Sequence, residues 1–448
     1  MARAAEGSWH GLGGWPASGF FSAPEWVDLD KPAGHTSFAN EVRWQKVFWS
    51  YATMEYFFCA PHLIWFAISL SVYVAVPYDF EAAREGWAAS WVTKRIGVCF
   101  AVALAYYGFF FWALYIRGAS RRKFQPDSYP TSGNMAHNLW YWSLGILQWA
   151  MSECVMTRLW ATGKVPYVSN KELITSPQLL LANVGLVLAV PLVRDIHFYV
   201  AHRFVHIRAV YKYVHSLHHR NTDPEPFSGL CMHPVEHLYY YSIAWIPPLC
   251  VTCSPFVFAF IFMHLALAPG GGHSGFEDHW QSDAYHYIHH AKFECNYGSP
   301  GVAWIDVLCG TFRDKLVASG TYQGEYREHY AGKSEQGQAW SHQSYLGVPA
   351  ADHLIYTVFC FAVTAAVALG ATRSSYVDAG VLPGPAVAAL AAYGPLLVPL
   401  LLCAWNDRMP WRWPFHKERV VGTFGLFATA GWLLCVVPVY RLVSLICA

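Results

Sequence analysis

Charge is scarce in this 448-residue chain: Asp, Glu, Lys and Arg together make up 13% of it, about half the share usual in a soluble domain. That shortage argues against an ordinary soluble globule. The charges also balance, 30 Lys+Arg against 29 Asp+Glu, which excludes a broadly basic nucleic-acid binder and an acidic disordered chain. The 12 cysteines show no framework spacing. The CxxC pair Cys250–Cys253 lies in an apolar stretch with no second pair to complete a zinc site, so the cysteines read as small core residues. No repeat at a fixed period is visible. No GxGxxG follows a strand-like run, and Pro269-Gly-Gly-Gly reads as a flexible turn. Met1–Trp26 lacks a basic-then-apolar pattern, so no cleaved secretion signal is expected.

What the chain has in quantity is apolar and aromatic surface. Hydrophobic residues make up 55%, with 21 Trp, 27 Tyr and 28 Phe, a composition suited to two membrane–water interfaces. The apolar residues run in blocks near the roughly 20 residues a spanning helix needs. These blocks are Met54–Val76, Gly97–Ile116, Asn138–Trp160 (with Glu153 and Arg158), Gln178–Val193, His353–Thr372, Val381–Trp405 and Val420–Ile446. The helix at Gln178 has the option of continuing past Arg194. Tyr239–Ala268 is interrupted by Pro247, Pro248 and Pro255 and predicts two half-helices or a shallow hairpin. Basic loops at Arg117–Lys123 and Asp407–Arg419 place those loops, and with them Arg194–His237 and Gly270–Asp352, on the cytoplasmic side. Pro77–Arg95 fits this orientation less well.

Fourteen of the 22 histidines fall between His197 and His290, where even spreading would put about 5. His202 and His206 are four apart; His215, His218 and His219 follow an HxxHH pattern, and His286, His289 and His290 repeat it. On a helix each set projects from one face, which predicts convergence of two or three rings on one point. Imidazole suits Fe, Zn, Cu or Ni, and eight rings exceed what one tetrahedral zinc requires. Two metals a few Å apart use them. A single HxxxH is commonly a surface pair, but three such sets in one segment beside membrane helices are not. His197, five residues before His202, points elsewhere on the helical wheel and is not read as a ligand. The expected fold is therefore all-α: a polytopic membrane helical bundle with a cytoplasmic histidine-rich di-metal cap. Residues 1–50 form an N-terminal cytoplasmic arm, 51–193 transmembrane helices, 182–315 the catalytic segment, 316–352 a cytoplasmic connector and 353–448 C-terminal transmembrane helices.

Read in order, Asp195-Ile-His-Phe-Tyr-Val-Ala-His202-Arg203-Phe-Val-His206, His215-Ser-Leu-His218-His219, His233-Pro-Val-Glu236, His273-Ser-Gly, His286-Tyr-Ile-His289-His290 followed by Asn296-Tyr297-Gly298, and Asp306-Val-Leu-Cys-Gly310-Thr311 resemble the fatty acid hydroxylase/sterol desaturase superfamily over roughly Ala182–Lys315. The resemblance implies an integral membrane, non-haem di-iron oxygenase acting on a lipid. It carries the catalytic and metal-ligand roles to His202, His206, His215, His218, His219, His286, His289 and His290. The lone family histidines fall on His233 and His273, and His237 and His279 stand nearby as substitutes. Asp195, Glu236, Asp278 and Asp283 are candidates to orient the rings.

The resemblance further implies two iron ions, O₂ as cosubstrate, and electrons from NAD(P)H through a separate cytochrome b5 and reductase, since no His-Pro-Gly-Gly stretch marks a fused cytochrome. The basic loops offer a landing place for an acidic donor. Trp245, Phe256, Phe258, Phe260 and Phe262 either line a lipid cavity or face lipid as a hairpin. His273-Ser-Gly-Phe and Lys292-Phe-x-Cys-Asn-Tyr-Gly look closest to sterol C4-methyl oxidases and cholesterol 25-hydroxylases, so hydroxylation of a sterol at the endoplasmic reticulum leads. Sterol C5-desaturases usually carry a different residue after the middle histidine. The alternatives are C5 desaturation, fatty-acyl or sphingolipid hydroxylation, a His-rich metal transporter and a catalytically dead lipid-binding homologue.

Overall fold

The computed structural model describes residues 60–120, 122–277, 282–309 and 311–313, with the short pairs 344–345 and 348–349. The arm, most of the connector and the C-terminal spans expected at 353–448 lie outside the described residues, as does the start of the first span. The described chain is helical apart from a two-residue antiparallel ladder, Ser344–Tyr345 with Val348–Pro349, and a bridge between Lys123 and Phe276.

The helices are α1 (Ala60–Ala75), α2 (Phe80–Glu85), α3 (Ala89–Phe111, continuing as a π-helical turn Trp112–Ile116), α4 (Ser132–Ala161), α5 (Asn170–Thr175), α6 (Pro177–Val205), α7 (Arg208–Tyr211), α8 (Pro234–Cys250), α9 (Pro255–Gly272), α10 (Ser282–Lys292) and α11 (Ala303–Leu308). Three are long and apolar enough to cross a membrane: Ala89–Ile116, Pro177–Val205 and Pro255–Gly272. Ser132–Ala161 is equally long but falls outside that group, because its apolar run is diluted by polar residues such as Asn138, Gln148 and Glu153.

Local signals explain the boundaries. Ser176 caps α6 with Pro177 in the first turn, and Ser254 caps α9 with Pro255, because proline lacks the N–H that a first turn leaves unpaired anyway. The break in the Tyr239–Ala268 stretch therefore falls at Val251–Ser254. Pro247 and Pro248 sit inside the last turn of α8 and do not end it. The helix from Pro177 does run through Arg194 to Val205, and so carries His202 at its far end. The second expected span starts eight residues earlier than Gly97, taking Arg95 into α3. Arg95 is tolerated there because Glu153 lies 3.3 Å away and the Val76 carbonyl accepts a second N–H; charges inside a bundle are held in such pairs.

The centre of the molecule is α9. It contacts α1, α3, α4, α6 and α8, and Phe258, Phe260 and Phe262 are fully buried. These three phenyl rings are part of the core of the described residues. Among the described residues, exposed apolar side chains lie instead on other helices, such as Leu104, Phe109 and Ile116 of α3 and its π-helical turn and Leu180, Leu181 and Val184 of α6. Pro269-Gly-Gly-Gly is not a loop but the last turn of α9. Its glycines allow close approach: Gly270 lies against Tyr107, and the Pro269 carbonyl abuts Gly229.

That contact makes a prediction. A Cβ on Gly229 collides with the Pro269 backbone, so Gly229→Ala is expected to destabilise by about 1–3 kcal/mol. Gly185, with open space around it, should gain up to about 1 kcal/mol as alanine from helix propensity. Thermal unfolding in detergent micelles measures both.

Candidate metal centre

Nine histidines converge at one end of the bundle, in two adjoining groups. The first is His202, His206, His215, His219 and His289; the second is His218, His273, His286 and His290. All nine are buried, and within each group the facing nitrogens lie within 4.8 Å of one another. The groups touch, with the His219 and His290 rings 4.6 Å apart.

The HxxHH sets do not each converge on one point, as helical spacing alone suggested. They split. His215 and His219 enter the first group and His218 the second; His286 and His290 enter the second and His289 the first. Adjacent residues diverge by about 100° on an α-helix and about 120° on a 3-10 turn, so His218 and His219, or His289 and His290, cannot reach the same point. The first HxxHH set is in fact a 3-10 turn, His215–Arg220, and the second lies on α10. Each set thus supplies both groups.

The hydrogen bonds assign the tautomers. Nδ1 of His202 donates to the Tyr297 carbonyl at 2.7 Å, and Nδ1 of His289 to the Cys295 carbonyl at 2.6 Å. Nδ1 of His273 donates to the Pro269 carbonyl at 2.9 Å, and Nδ1 of His218 to the Cys231 carbonyl at 3.3 Å. Nδ1 of His215 donates to Glu236 Oε1 at 2.6 Å. A neutral ring whose Nδ1 carries the proton presents a bare lone pair at Nε2. Yet Nε2 of His202 faces Nε2 of His215 at 3.2 Å, and Nε2 of His273 faces Nε2 of His218 at 3.1 Å. Two lone pairs at that distance repel unless a cation lies between them; the His273–His218 pair is of this kind outright, and the His202–His215 pair is so when Glu236 is ionised. Metal–nitrogen bonds of about 2.1 Å at right angles put neighbouring donors about 3.0 Å apart, matching the 2.9–3.2 Å contacts in both groups. The donor set therefore fits two first-row metal ions. Burial lowers His215 to about 3 and His218 to about 4, holding both neutral, the form that ligates.

The second layer is mostly backbone. Residues Phe293–Gly298 form a loop in which Phe293 and Asn296 take positive φ, 66° and 51°, so that the Cys295 and Tyr297 carbonyls point at His289 and His202. Asp306 anchors it. Oδ1 accepts from the Tyr297 N–H at 3.0 Å and Thr311 Oγ1 at 2.7 Å, and Oδ2 accepts from the Gly298 N–H at 3.0 Å and Tyr285 Oη at 2.6 Å. Asn296 ties the same loop to Arg313. Among the carboxylates singled out from the sequence, Glu236 reaches a ring, and burial raises it to about 8. Asp195 instead pairs with Arg194 and Ser299. The side chains of Asp278 and Asp283 lie outside the described residues, as does His279.

His233 and His237 stand in neither group. His233 is the N-cap of α8, its Nδ1 accepting from the Val235 N–H, and His237 Nε2 donates to the Leu230 carbonyl at 3.0 Å. His197 bonds Ser242, and His62 pairs with His264 at 2.9 Å, both away from the two groups. Sequence reasoning named Asp306 in its motif but missed its anchoring role and the ring-facing carbonyls; the pairing of the Asn-Tyr-Gly stretch with the Asp-xxx-Gly-Thr stretch is visible only in three dimensions.

Removing Asp306 leaves two N–H groups and two hydroxyls without their acceptor. Asp306→Ala should therefore cost about 3 kcal/mol or more, read as a lower unfolding midpoint in micelles; an unchanged midpoint would remove Asp306 from this role.

Comparison with known proteins places the same segment. Residues 187–311 match the fatty acid hydroxylase family. Delta(7)-sterol 5(6)-desaturase ERG3A of Gibberella zeae is 34% identical over 123 residues, 27% of this chain and 35% of that protein. The Delta(7)-sterol 5(6)-desaturase of Leptosphaeria maculans is 32% identical over 123 residues, 27% of this chain and 34% of the relative. Erg3C of Aspergillus fumigatus, of the same name, is 33% identical over 149 residues, covering 27% of this chain and 45% of its own length. The chain thus spans about a third to a half of the length of these curated relatives. No solved structure matches it.

Proposed function

From the premise that residues 187–311 belong to the fatty acid hydroxylase/sterol desaturase superfamily, we propose that this chain is a membrane-bound, O₂-dependent di-iron oxidoreductase acting on a lipid, with a sterol as the leading substrate class. The observation that carries the reading is the facing of nitrogen lone pairs, His273 with His218 and, with Glu236 ionised, His202 with His215, which calls for a cation in each group. His202, His206, His215, His219 and His289 hold one ion, and His218, His273, His286 and His290 the other. Bound iron supplies the capacity to activate O₂ against an unactivated C–H bond.

The protein's own part is positional. Carbonyls of Tyr297, Cys295, Pro269 and Cys231, with Glu236, take the Nδ1 proton of five of the nine rings and so direct their Nε2 inward. Burial of the nine rings limits access of bulk water, which protects a reactive oxidant from side reactions. The site lies at the end of the apolar helices α6 and α9, so a lipid carbon reaches it from the bilayer without crossing water. The cytoplasmic orientation, the endoplasmic reticulum membrane and a separate cytochrome b5 with its NAD(P)H-dependent reductase complete the proposal.

The relatives' names favour ring desaturation, whereas His273-Ser-Gly-Phe276 resembles the hydroxylases. The two outcomes share the first hydrogen abstraction and differ in the step after it. Mass spectrometry of sterols and sphingolipids from cells expressing the intact chain or its His218→Ala form separates them. A sterol lighter by two hydrogens marks a desaturase, and one heavier by one oxygen a hydroxylase. A changed sphingolipid would replace the sterol assignment, and no change in any lipid with reductase supplied would count against an enzyme. Metal analysis of the purified chain should give two ions, falling toward one in His218→Ala; a metal-free wild type would sink the di-iron reading.

A further inference from the structure

We infer that the segment Tyr115–Gln125, which lies outside the family-matched residues 187–311, is the strap that positions the four-imidazole group of His218, His273, His286 and His290. The inference rests on the reading of that group as a metal site.

The four imidazoles come from three separate pieces of chain: the 3-10 turn His215–Arg220, the end of α9, and α10. The strap grips all three. Next to His273 the attachment is continuous. Tyr115 Oη donates to the Ser274 carbonyl at 3.0 Å, the Phe124 N–H donates to the Gly275 carbonyl at 3.1 Å, Lys123 bridges Phe276, and the Glu277 N–H donates to the Arg122 carbonyl at 2.8 Å. Arg122 then closes on the Glu277 carboxylate, with Nε at 2.9 Å. Four consecutive residues after the ligand are thus tied to the strap. Gly275 makes the turn possible: its φ is +81°, and a Cβ would meet the Pro224 carbonyl at 2.5 Å.

The same strap holds the chain just beyond His218 and His219. Lys123 Nζ pairs with Asp223 at 2.8 Å, Gln125 Nε2 donates to the Thr222 carbonyl at 3.1 Å, and Tyr115 Oη shares its proton with the Pro224 carbonyl at 3.2 Å. On α10, Tyr287, beside His286, stacks on Phe124 at 4.1 Å, and its hydroxyl accepts from Gln125 Nε2 at 3.1 Å. The π-helical turn Trp112–Ile116 leads into the strap; the extra residue of a π turn re-aims the chain beyond it, and such turns are frequent at functional sites.

The five-imidazole group is braced from elsewhere. His202 and His289 lean on the Tyr297 and Cys295 carbonyls of the loop that Asp306 anchors, and His215 on Glu236. Its His219 and His289 nonetheless ride on the 3-10 turn and α10 that the strap also grips, so the hold peculiar to the four-imidazole group is the one along Ser274–Glu277, next to His273. Arg122 and Lys123 are also accounted for by these ion pairs, so within the basic loop their charge is directed inward to Glu277 and Asp223 and not outward.

The test uses the full chain in detergent micelles, loaded without oxygen with ferrous ion or, as a spectroscopic probe, Co²⁺. In the combined variant Tyr115→Phe, Arg122→Gln, Lys123→Gln, one ion should bind about 10–100-fold more weakly, the usual effect of losing an outer partner, while the other binds as in wild type. Its Co²⁺ spectrum should match that of His273→Ala and differ from that of His206→Ala. Arg122→Lys with the other two positions intact should recover most of the affinity, and Lys171→Gln on exposed α5 should change nothing. Amide exchange gives a second readout that needs no metal: residues 222–223 and 272–277 exchange faster in the variant, and 293–299 do not. Should the triple change prevent folding, Tyr115→Phe alone is expected to speed exchange at 274–277. Both ions weakening together, neither weakening, or unchanged exchange at 272–277 would overturn the strap. A wild-type chain that takes up no metal would instead overturn the proposed function, with the exchange pattern still deciding on the strap.

Discussion

An imidazole can offer a lone pair to a cation only while its other nitrogen keeps the proton, and in a dry interior that proton needs an acceptor. Much of the described architecture around the rings follows from meeting this condition for five of the nine. Five of the acceptors are identifiable: four backbone carbonyls and one carboxylate. A carbonyl at a fixed place needs an irregular backbone, which explains why helix ends, 3-10 turns and positive-φ residues crowd this end of the molecule while the rest is regular helix. Burial works in the same direction, since it disfavours protonated imidazole.

The membrane helices serve that arrangement as a frame. α6 carries His202 in its last turn and ends at Val205, and α9 delivers His273 just past its last glycine. Both long helices bring ligands to one level, and α9 does so from the centre of the bundle, where its phenyl rings leave it little room to shift. The support around the rings is divided. The loop anchored by Asp306 supplies the carbonyls that meet His202 and His289, the strap from α3 holds the chain after His273, and both grip α10.

Composition was enough to exclude a soluble globule and to expect helices of membrane length, because hydrophobic run length reports directly on bilayer thickness. Spacing was enough to pick out the eight box histidines, since their i, i+3, i+4 offsets are a one-dimensional trace of helix geometry. It erred on how those rings divide, treating each HxxHH set as a unit, because the offset says which residues share a face but not that a second group waits on the adjoining face. It also left Pro269-Gly-Gly-Gly as a turn, when close packing against Tyr107 and Gly229 makes glycine the residue a buried helix end requires.

The sequence by itself determined the class of chemistry: many imidazoles, few charges, and apolar helices of spanning length leave few alternatives to metal chemistry at a membrane. The tertiary structure alone decided which rings meet, which carbonyls hold their protons, and that Tyr115–Gln125 belongs to the site. The reason is physical. Ring identity and spacing are local properties encoded residue by residue, whereas a hydrogen bond from Tyr115 to Ser274 or from Asn296 to Arg313 depends on how separate pieces of chain are packed, and no local pattern records that.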